Sequence, residues 1–253
     1  MSMPMYVSPD QLMKDRAEFA RKGISRGRSA ITARYRDGIV FIAENPSHTL
    51  HKVSEIHDRI GFAAVGRYHE FESLRVAGIR YADMRGYAYD PADVTARALA
   101  NSYAQVLGTS FSSAAAKPFE VELVVAQLGD RPESASETGT ASEGDQTGSM
   151  PRDGDGDRLY RINFDGLVSD EGDVSVIGGN AAAVLAAVRE DYDPSLSLAR
   201  LLRLAVPALR AGREATVDAG GVEVALLERS RLPRRCFVRL DAAQVDTAMR
   251  EDS

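Results

Sequence analysis

The sequence predicts an α+β protein: a four-layer αββα sandwich of two antiparallel sheets flanked by helices, with an extra N-terminal helix. Two observations lead there. Segments with strand and helix periodicity follow one another as strands, two helices, strands, two helices, strands. The links between successive strands are short enough for antiparallel hairpins. Two such sheets, each with helices on its outer face, bury both sheets fully.

In order along the chain, Pro9–Arg21 reads as a short helix. Leu12, Met13, Arg16, Ala17 and Ala20 fall at helical spacing, and Pro9 stands near the start. Ser29–Tyr35 and Gly38–Glu44 read as strands joined by a tight hairpin at Arg36-Asp37. Gly61–Gly66 is a short buried strand, and Tyr68–Met84 a helix carrying Phe71, Leu74, Ile79 and Tyr81. The next helix has Asp90 as cap, Pro91 at its first position and Asp93 at its positive end, and runs to about Leu107. Strands Val121–Leu128 and Leu159–Phe164 form a hairpin, to which Val174–Ile177 adds a third. Asn180–Glu190 and Ser197–Ala211 are helices, the second interrupted at Pro207. Strands Val222–Glu228 and Cys236–Leu240 follow, then a helix from Asp241 to Met249.

The segment 129–158, between the strands of that hairpin, is different in kind. It holds eight acidic and three basic residues and no aromatic, Leu, Ile or Val. Such a stretch buries too little apolar area to offset its ordering entropy, so the sequence predicts a disordered acidic insertion. It carries most of the net charge of −6 and leaves the rest near neutral. Asp153, Asp155 and Asp157 alternate as in a calcium loop, but the required glycine and glutamate positions fall on Arg158 and Phe164.

The chain has 253 residues, 44% of them hydrophobic and 27% charged, ordinary for a globular protein. A chain of this length buries roughly 70–75% of its unfolded surface and needs no staple. Cys236 is the only cysteine, which rules out an intrachain disulfide and a cysteine metal cluster. It lies in a strand-like run and reads as a small core residue rather than a nucleophile. Residues Met1 to Asp10 lack the basic and apolar pattern of a signal peptide, and no apolar run approaches the ~20 residues of a membrane span. The expected location is cytoplasmic, and the acidic charge argues against a nucleic-acid binder.

Several strings resemble, in order and spacing, the proteasome α-subunits of the bacterial branch. They are Tyr6 to Gly23, Arg26-Gly-Arg-Ser29, His51 to Gly61, and Lys117-Pro118-Phe119. The resemblance spans nearly the whole chain except 129–158, and implies the fold of the N-terminal-nucleophile hydrolases. Catalysis there needs a Thr, Ser or Cys with a free α-amino group as general base. Aligning Tyr35-Arg-Asp-Gly38 with the catalytic subunits puts Arg28 at the nucleophile position, behind about 28 residues. The resemblance therefore implies a subunit without catalytic residues and without cofactors, belonging to a threonine-type endopeptidase complex whose nucleophile is on the β-subunit.

The implied function is to form the outer heptameric rings of the core particle, gate its axial channel, and dock an AAA-type ATPase. The partners implied are further copies of the chain, β-subunits, the ATPase, and unfolded or Pup-tagged protein substrates, with no nucleic acid and no membrane. Residues 1–28 become a gate segment and ring-contact helix, and 29–253 the sandwich domain. The gate is assigned to Met1, Ser2, Met3, Pro4, Met5, Tyr6, Val7, Ser8 and Pro9. Lys52, Glu18 and Gly66 are implied to form the activator pocket, Lys52 pairing with a terminal carboxylate. Phe19 stands where many members have tyrosine. Ser113, Ala114, Ala115, Ala116 and Lys117 are implied to line the pore, with Glu120 where archaeal-type members often have glycine.

Other readings compete. A self-processing hydrolase using Ser29 predicts cleavage of the Arg28–Ser29 bond. No Gly-x-Ser-x-Gly elbow occurs. His48, His51, His57 and His69 cluster as metal ligands or as surface imidazoles. The basic run Arg16, Arg21, Lys22, Arg26, Arg28, Arg34 and Arg36 serves nucleic acid or, more simply, subunit contacts.

Overall fold

The computed structural model describes residues 8–47, 49–129, 156–211, 221–232 and 235–250. The gate residues Met1–Val7, His48 and residues 130–155 of the acidic insertion lie outside them. Helix α1 covers Pro9–Ser25, one turn longer than expected, with the Ser8 hydroxyl accepting a hydrogen bond from the Gln11 amide and Pro9 in the first turn. Strands β1 (Ala30–Tyr35), β2 (Gly38–Glu44), β3 (Val53–His57) and β4 (Ile60–Gly66) come next. Helices α2 (Tyr68–Ala88) and α3 (Ala96–Ser112) precede β5 (Val121–Gln127), β6 (Arg158–Ile162), β7 (Val168–Glu171) and β8 (Val174–Ile177). Helices α4 (Ala181–Arg189) and α5 (Leu198–Ala208), strands β9 (Val222–Glu228) and β10 (Phe237–Leu240), and helix α6 (Ala242–Arg250) complete the order.

The strands form two five-stranded antiparallel sheets, in the orders β10-β9-β2-β1-β8 and β3-β4-β5-β6-β7. Alternation along each central strand divides its residues between two cores. In β2, Val40 and Ile42 face α4 and α5, while Ile39, Phe41 and Ala43 meet Ala63, Val65, Val124 and Ala126 of the other sheet. On β4 and β5, Phe62, Ala64, Leu123 and Val125 turn outward to Leu74 of α2 and Leu99, Tyr103 and Leu107 of α3. Because both faces are covered, β2 and β5 are buried at every position. The αββα sandwich with its extra N-terminal helix is thus the observed fold. Among the described residues, no helix is long and apolar enough to cross a membrane.

Three expectations are corrected. Val174–Ile177 does not extend the hairpin of the second sheet; as β8 it pairs with β1 of the first. β3 and β7 were not anticipated, and both are edge strands. Pro91–Asp93 forms a separate 3-10 turn, and α3 begins at Ala96, six residues after Asp90, capped by Thr95, whose hydroxyl accepts from the Ala98 amide at 3.2 Å. At the root of the insertion, Asp157 accepts from the Gly129 amide at 2.9 Å and pairs with Arg229 at 2.8 Å, and Arg158 opens β6. Cys236 is fully buried just ahead of β10.

If Thr95 starts α3, Thr95→Ala lowers the unfolding free energy by about 1 kcal/mol, and Thr95→Ser stays within a few tenths of wild type in urea denaturation.

Candidate functional site

At one end of the sandwich converge the end of β4, the start of β5, the start of β1 and the turn after β8. Helix α1 lies across this end. Its apolar contact is small: Ala20 and Ile24 are buried, with Ala17 beside them, against Phe111 of α3 and Phe164. Charge provides the rest of the seat. The Arg16 guanidinium donates to the carbonyl oxygens of Phe111 at 2.9 Å, Ser110 at 2.9 Å and Ala116 at 2.8 Å. The last turn of a helix leaves carbonyls without intrahelical partners and carries partial negative charge, so one arginine satisfies both needs.

A second cluster forms where α1 passes β5. Glu120, 3% exposed, has Arg67 Nε and Lys117 Nζ each at 2.7 Å from its carboxylate. Lys117 also donates to Glu70 at 2.7 Å, and Glu70 in turn accepts from the Glu120 amide at 2.7 Å. The Lys117 ammonium stands 5.7 Å from the centroid of Phe19 on α1, a cation–π distance. Burial raises the Glu120 pKa, but the hydrogen bonds from Lys117 and Arg67 outweigh it, and the carboxyl titrates below its ordinary value of 4.5. A Cβ on Gly23 would lie 2.0 Å from the Glu120 carboxylate, so only glycine lets α1 approach this closely.

Of the residues expected at an activator pocket, Lys52 and Gly66 fall around the start of β1. The Lys52 ammonium donates to the carbonyls of Arg28 at 3.0 Å and Glu44 at 2.9 Å, and its amide donates to Glu223 at 2.9 Å. It is docked on the backbone rather than free in solvent. Gly66 ends β4 at φ +124°, where a Cβ would sit 1.9 Å from the Glu120 carbonyl oxygen. Its identity is dictated by that contact and by the left-handed backbone. Glu18 lies on the exposed face of α1. Lys52 and Gly66 bracket the Gly27–Arg28 segment: Lys52 bonds the Arg28 carbonyl, and the Gly66 amide lies close to Gly27.

Ser113–Lys117 follows α3 as a turn in which the Ala116 amide donates to the Ser113 carbonyl at 3.3 Å. Ala114 and Ala115 are exposed at its tip. Lys117, assigned to the pore lining, instead ties the base of the turn to Glu70 and Glu120. Ser8 and Pro9, assigned to the gate, cap α1. Ser29 is 2% exposed, and its hydroxyl accepts from the Asn180 amide at 3.4 Å. His51 lies 3.2 Å from Glu223, and His69 lies 3.8 Å from Glu70. Among the described residues, no group of three His, Cys, Asp or Glu side chains gathers as metal ligands would.

Sequence reasoning gave Arg67 and Glu70 no part, and named Arg16 and Glu120 without the partners they meet here.

Arg16→Ala removes three charge-assisted bonds and is expected to cost ~2 kcal/mol, speeding hydrogen exchange of α1 amides before the sheets respond. The lowered Glu120 pKa fixes the sign of a pH effect. Its stabilisation is complete above 4.5, the ordinary glutamate value, and is lost as pH falls through the lower folded-state value. Melting curves from pH 7 to pH 3 therefore lose less on the acid side in Glu120→Gln than in wild type.

Comparison with known proteins accords with this geometry. A family model described as "Proteasome subunit" matches residues 24–135. The proteasome subunit alpha of Nocardioides sp. is 53% identical over 99% of this chain and 91% of its own length. That of Streptomyces scabiei is 50% identical over 100% of the chain and 94% of the relative. That of Acidothermus cellulolyticus is 49% identical over the full length of both. On its fold and on these relatives, the chain belongs to the proteasome α-subunits, in their actinobacterial branch.

Proposed function

We propose that this chain is a non-catalytic α-subunit. It assembles with copies of itself into heptameric outer rings, stacks on rings of β-subunits, and gates passage into the proteolytic chamber. The observation that carries the reading is at the start of β1. The resemblance to the catalytic subunits, through Tyr35-Arg-Asp-Gly38, puts Arg28 at the nucleophile position. A guanidinium does not attack a carbonyl, and the Ser29 nitrogen is held in the peptide bond to Arg28, so it cannot serve as an amine base. The neighbouring lysine, Lys52, spends its ammonium on the Arg28 and Glu44 carbonyls. The chamber's chemistry then belongs to the β-subunit.

Gating follows from the seat of α1. The same helix that would lead residues Met1–Pro9 toward a ring axis is tied through Arg16 to the Ala116 carbonyl and through Phe19 to Lys117. A displacement of α1 is thereby passed to the Ser113–Lys117 turn, the proposed pore lining. In this reading an AAA-type ATPase docks by a C-terminal carboxylate at Lys52, with Glu18 and Gly66 completing the pocket, and delivers unfolded or Pup-tagged chains.

Native mass spectrometry of the chain, with and without a co-expressed β-subunit, tests the reading. The expected result is a stacked α–β–β–α particle whose peptidase activity requires the β-subunit. A chain that stays monomeric beside an assembling β-ring, or that loses residues 1–28 and cleaves peptides alone, would overturn it.

A further inference from the structure

We infer that copies of this chain join flank to flank, the β3 and β10 edges of one against the β7 and β8 edges of the next. At that joint Arg235 of one copy pairs with Glu171 of its neighbour, and Leu50 packs on Leu167. This rests on the reading of the chain as a ring subunit. The sheet orders put β10 and β3 at one edge of their sheets and β8 and β7 at the other. Between the sheets β9 meets β3, and β8 meets β5 and β6, so β3 and β10 share one flank and β7 and β8 the opposite one. Helices cover the outer face of each sheet, which leaves the flanks as the places where strand edges lack a partner strand. The two flanks are unlike, and a ring generated by one repeated rotation joins unlike surfaces head to tail.

With the α1 end toward the ring axis, the strands run outward from it. Rotation about that axis then brings each level of one flank to the same level of the other. In the second sheet one rung runs from edge to edge through Glu55, Gly61, Ala126, Leu159 and Glu171. Both edge residues of this rung are acidic, but Glu55 is covered by Arg235: its side chain is 15% exposed and that of the arginine 71%. An exposed guanidinium therefore stands on the β3 edge at the level where Glu171 arrives, with the exposed Asp170 one residue before it. Arg235 and Arg231 belong to a groove of about 910 Å3 with Ile56, Ile79, Phe237 and Val238 among its walls. Arg75 and Arg239 lie there too, held by Glu72 and Glu223. Asp58 and Asp83 also line the groove, so the charge match is set by level and not by a net charge of the flank.

A second match lies at the α1 end of the same flanks. Leu50 and Leu167 are both exposed there. Leu50 comes just before β3, and its carbonyl accepts from the Asn45 side chain, which also donates to Glu223 of β9. Leu167 comes just before β7, and its carbonyl accepts from the Asn163 amide at 3.0 Å. Each backbone is fixed, so each leucine is presented at a set place, and contact between them takes both out of water.

The test uses the full chain co-expressed with a β-subunit, and native mass spectrometry reads the fraction of it in the stacked particle. Glu171→Arg and Arg235→Glu are each expected to lower that fraction at least tenfold, because each sets like charges across every joint of the ring. The double variant reverses the pair and is expected to return to within threefold of wild type, a rescue that misfolding of either single variant would not give. Leu167→Asp, which leaves the ion pair intact, is expected to lose at least tenfold, with circular dichroism verifying that it folds. A smaller loss in any of the three single variants, or a double variant that stays outside its range, overturns the flank pairing while the ring reading stands. If wild type itself enters no ring, that reading falls and the inference falls with it.

Discussion

Burying both faces of two sheets at once is the constraint from which the rest of this structure follows. With helices on the outside and sheet against sheet inside, the central strands offer no surface to a ligand or a partner. Backbone polar groups are exhausted in the ladders, and the side chains of β2 and β5 are spent on packing. Chemistry is left to the two ends of the strands, where ladders stop and the sheets must still be held together by polar groups. At each end a buried carboxylate bridges them. At the α1 end, Glu122 of β5 accepts from the Gly178 amide that follows β8 and pairs with Arg161. At the other end, Asp157 meets Arg229 beyond β9 and lies 3.7 Å from Arg34 of β1. Burying such ions costs free energy, which the multiple hydrogen bonds to each carboxylate offset.

The two ends are then used differently. The end carrying Asp157 roots the acidic insertion between Gly129 and Asp157, closing it with a backbone amide and with Arg229, whose Nη2 meets both Asp157 oxygens and whose Nη1 donates to the Gly129 carbonyl. The opposite end seats α1, exposes Arg28 and holds the half-buried Lys52. The strands of β5 and β6 separate these functions by roughly 15–20 Å at about 3.3 Å per residue. Gly129 and Asp157 therefore stand at the end of the sandwich away from Arg28 and Lys52, with the rigid sheets between.

Much of this was legible in the sequence, and the misses share a physical cause. β2 and β9 were delimited to the residue because both are short, apolar runs bounded by glycine or charge, as central strands demand. β3 and β7 were missed because they are sheet edges. Val53-Ser-Glu-Ile-His and Val168-Ser-Asp-Glu bury one face poorly or hardly at all, so neither shows the alternation by which a strand is recognised. Asp90-Pro91 is a sound helix-start signal that here begins only one turn, because Thr95 caps the longer helix. At the candidate site, Lys52 and Gly66 were singled out through the resemblance alone. The contacts around α1 were not legible: Arg16 meets residues 94 to 100 positions away, and Lys117 reaches back 47 to Glu70. No local pattern encodes such pairs; only the fold makes them neighbours.

The manner in which α1 is held bears on what it can do. A helix of seventeen residues that fully buries little besides Ala20 and Ile24 gains only a few kcal/mol from apolar contact. Its attachment depends instead on Arg16, on the Lys117–Phe19 contact and on the close pass of Gly23 over Glu120. Apolar packing would fix the helix in one jigsaw position and resist every ligand equally. Ionic contacts at a half-exposed surface are exchangeable, since water or an incoming charge replaces one partner with another at small net cost. A ligand with a modest differential affinity for two positions of α1 would shift it between them. The weak apolar seat of α1 thus leaves its position to exchangeable contacts, while the doubly buried sheets beneath it supply a fixed frame.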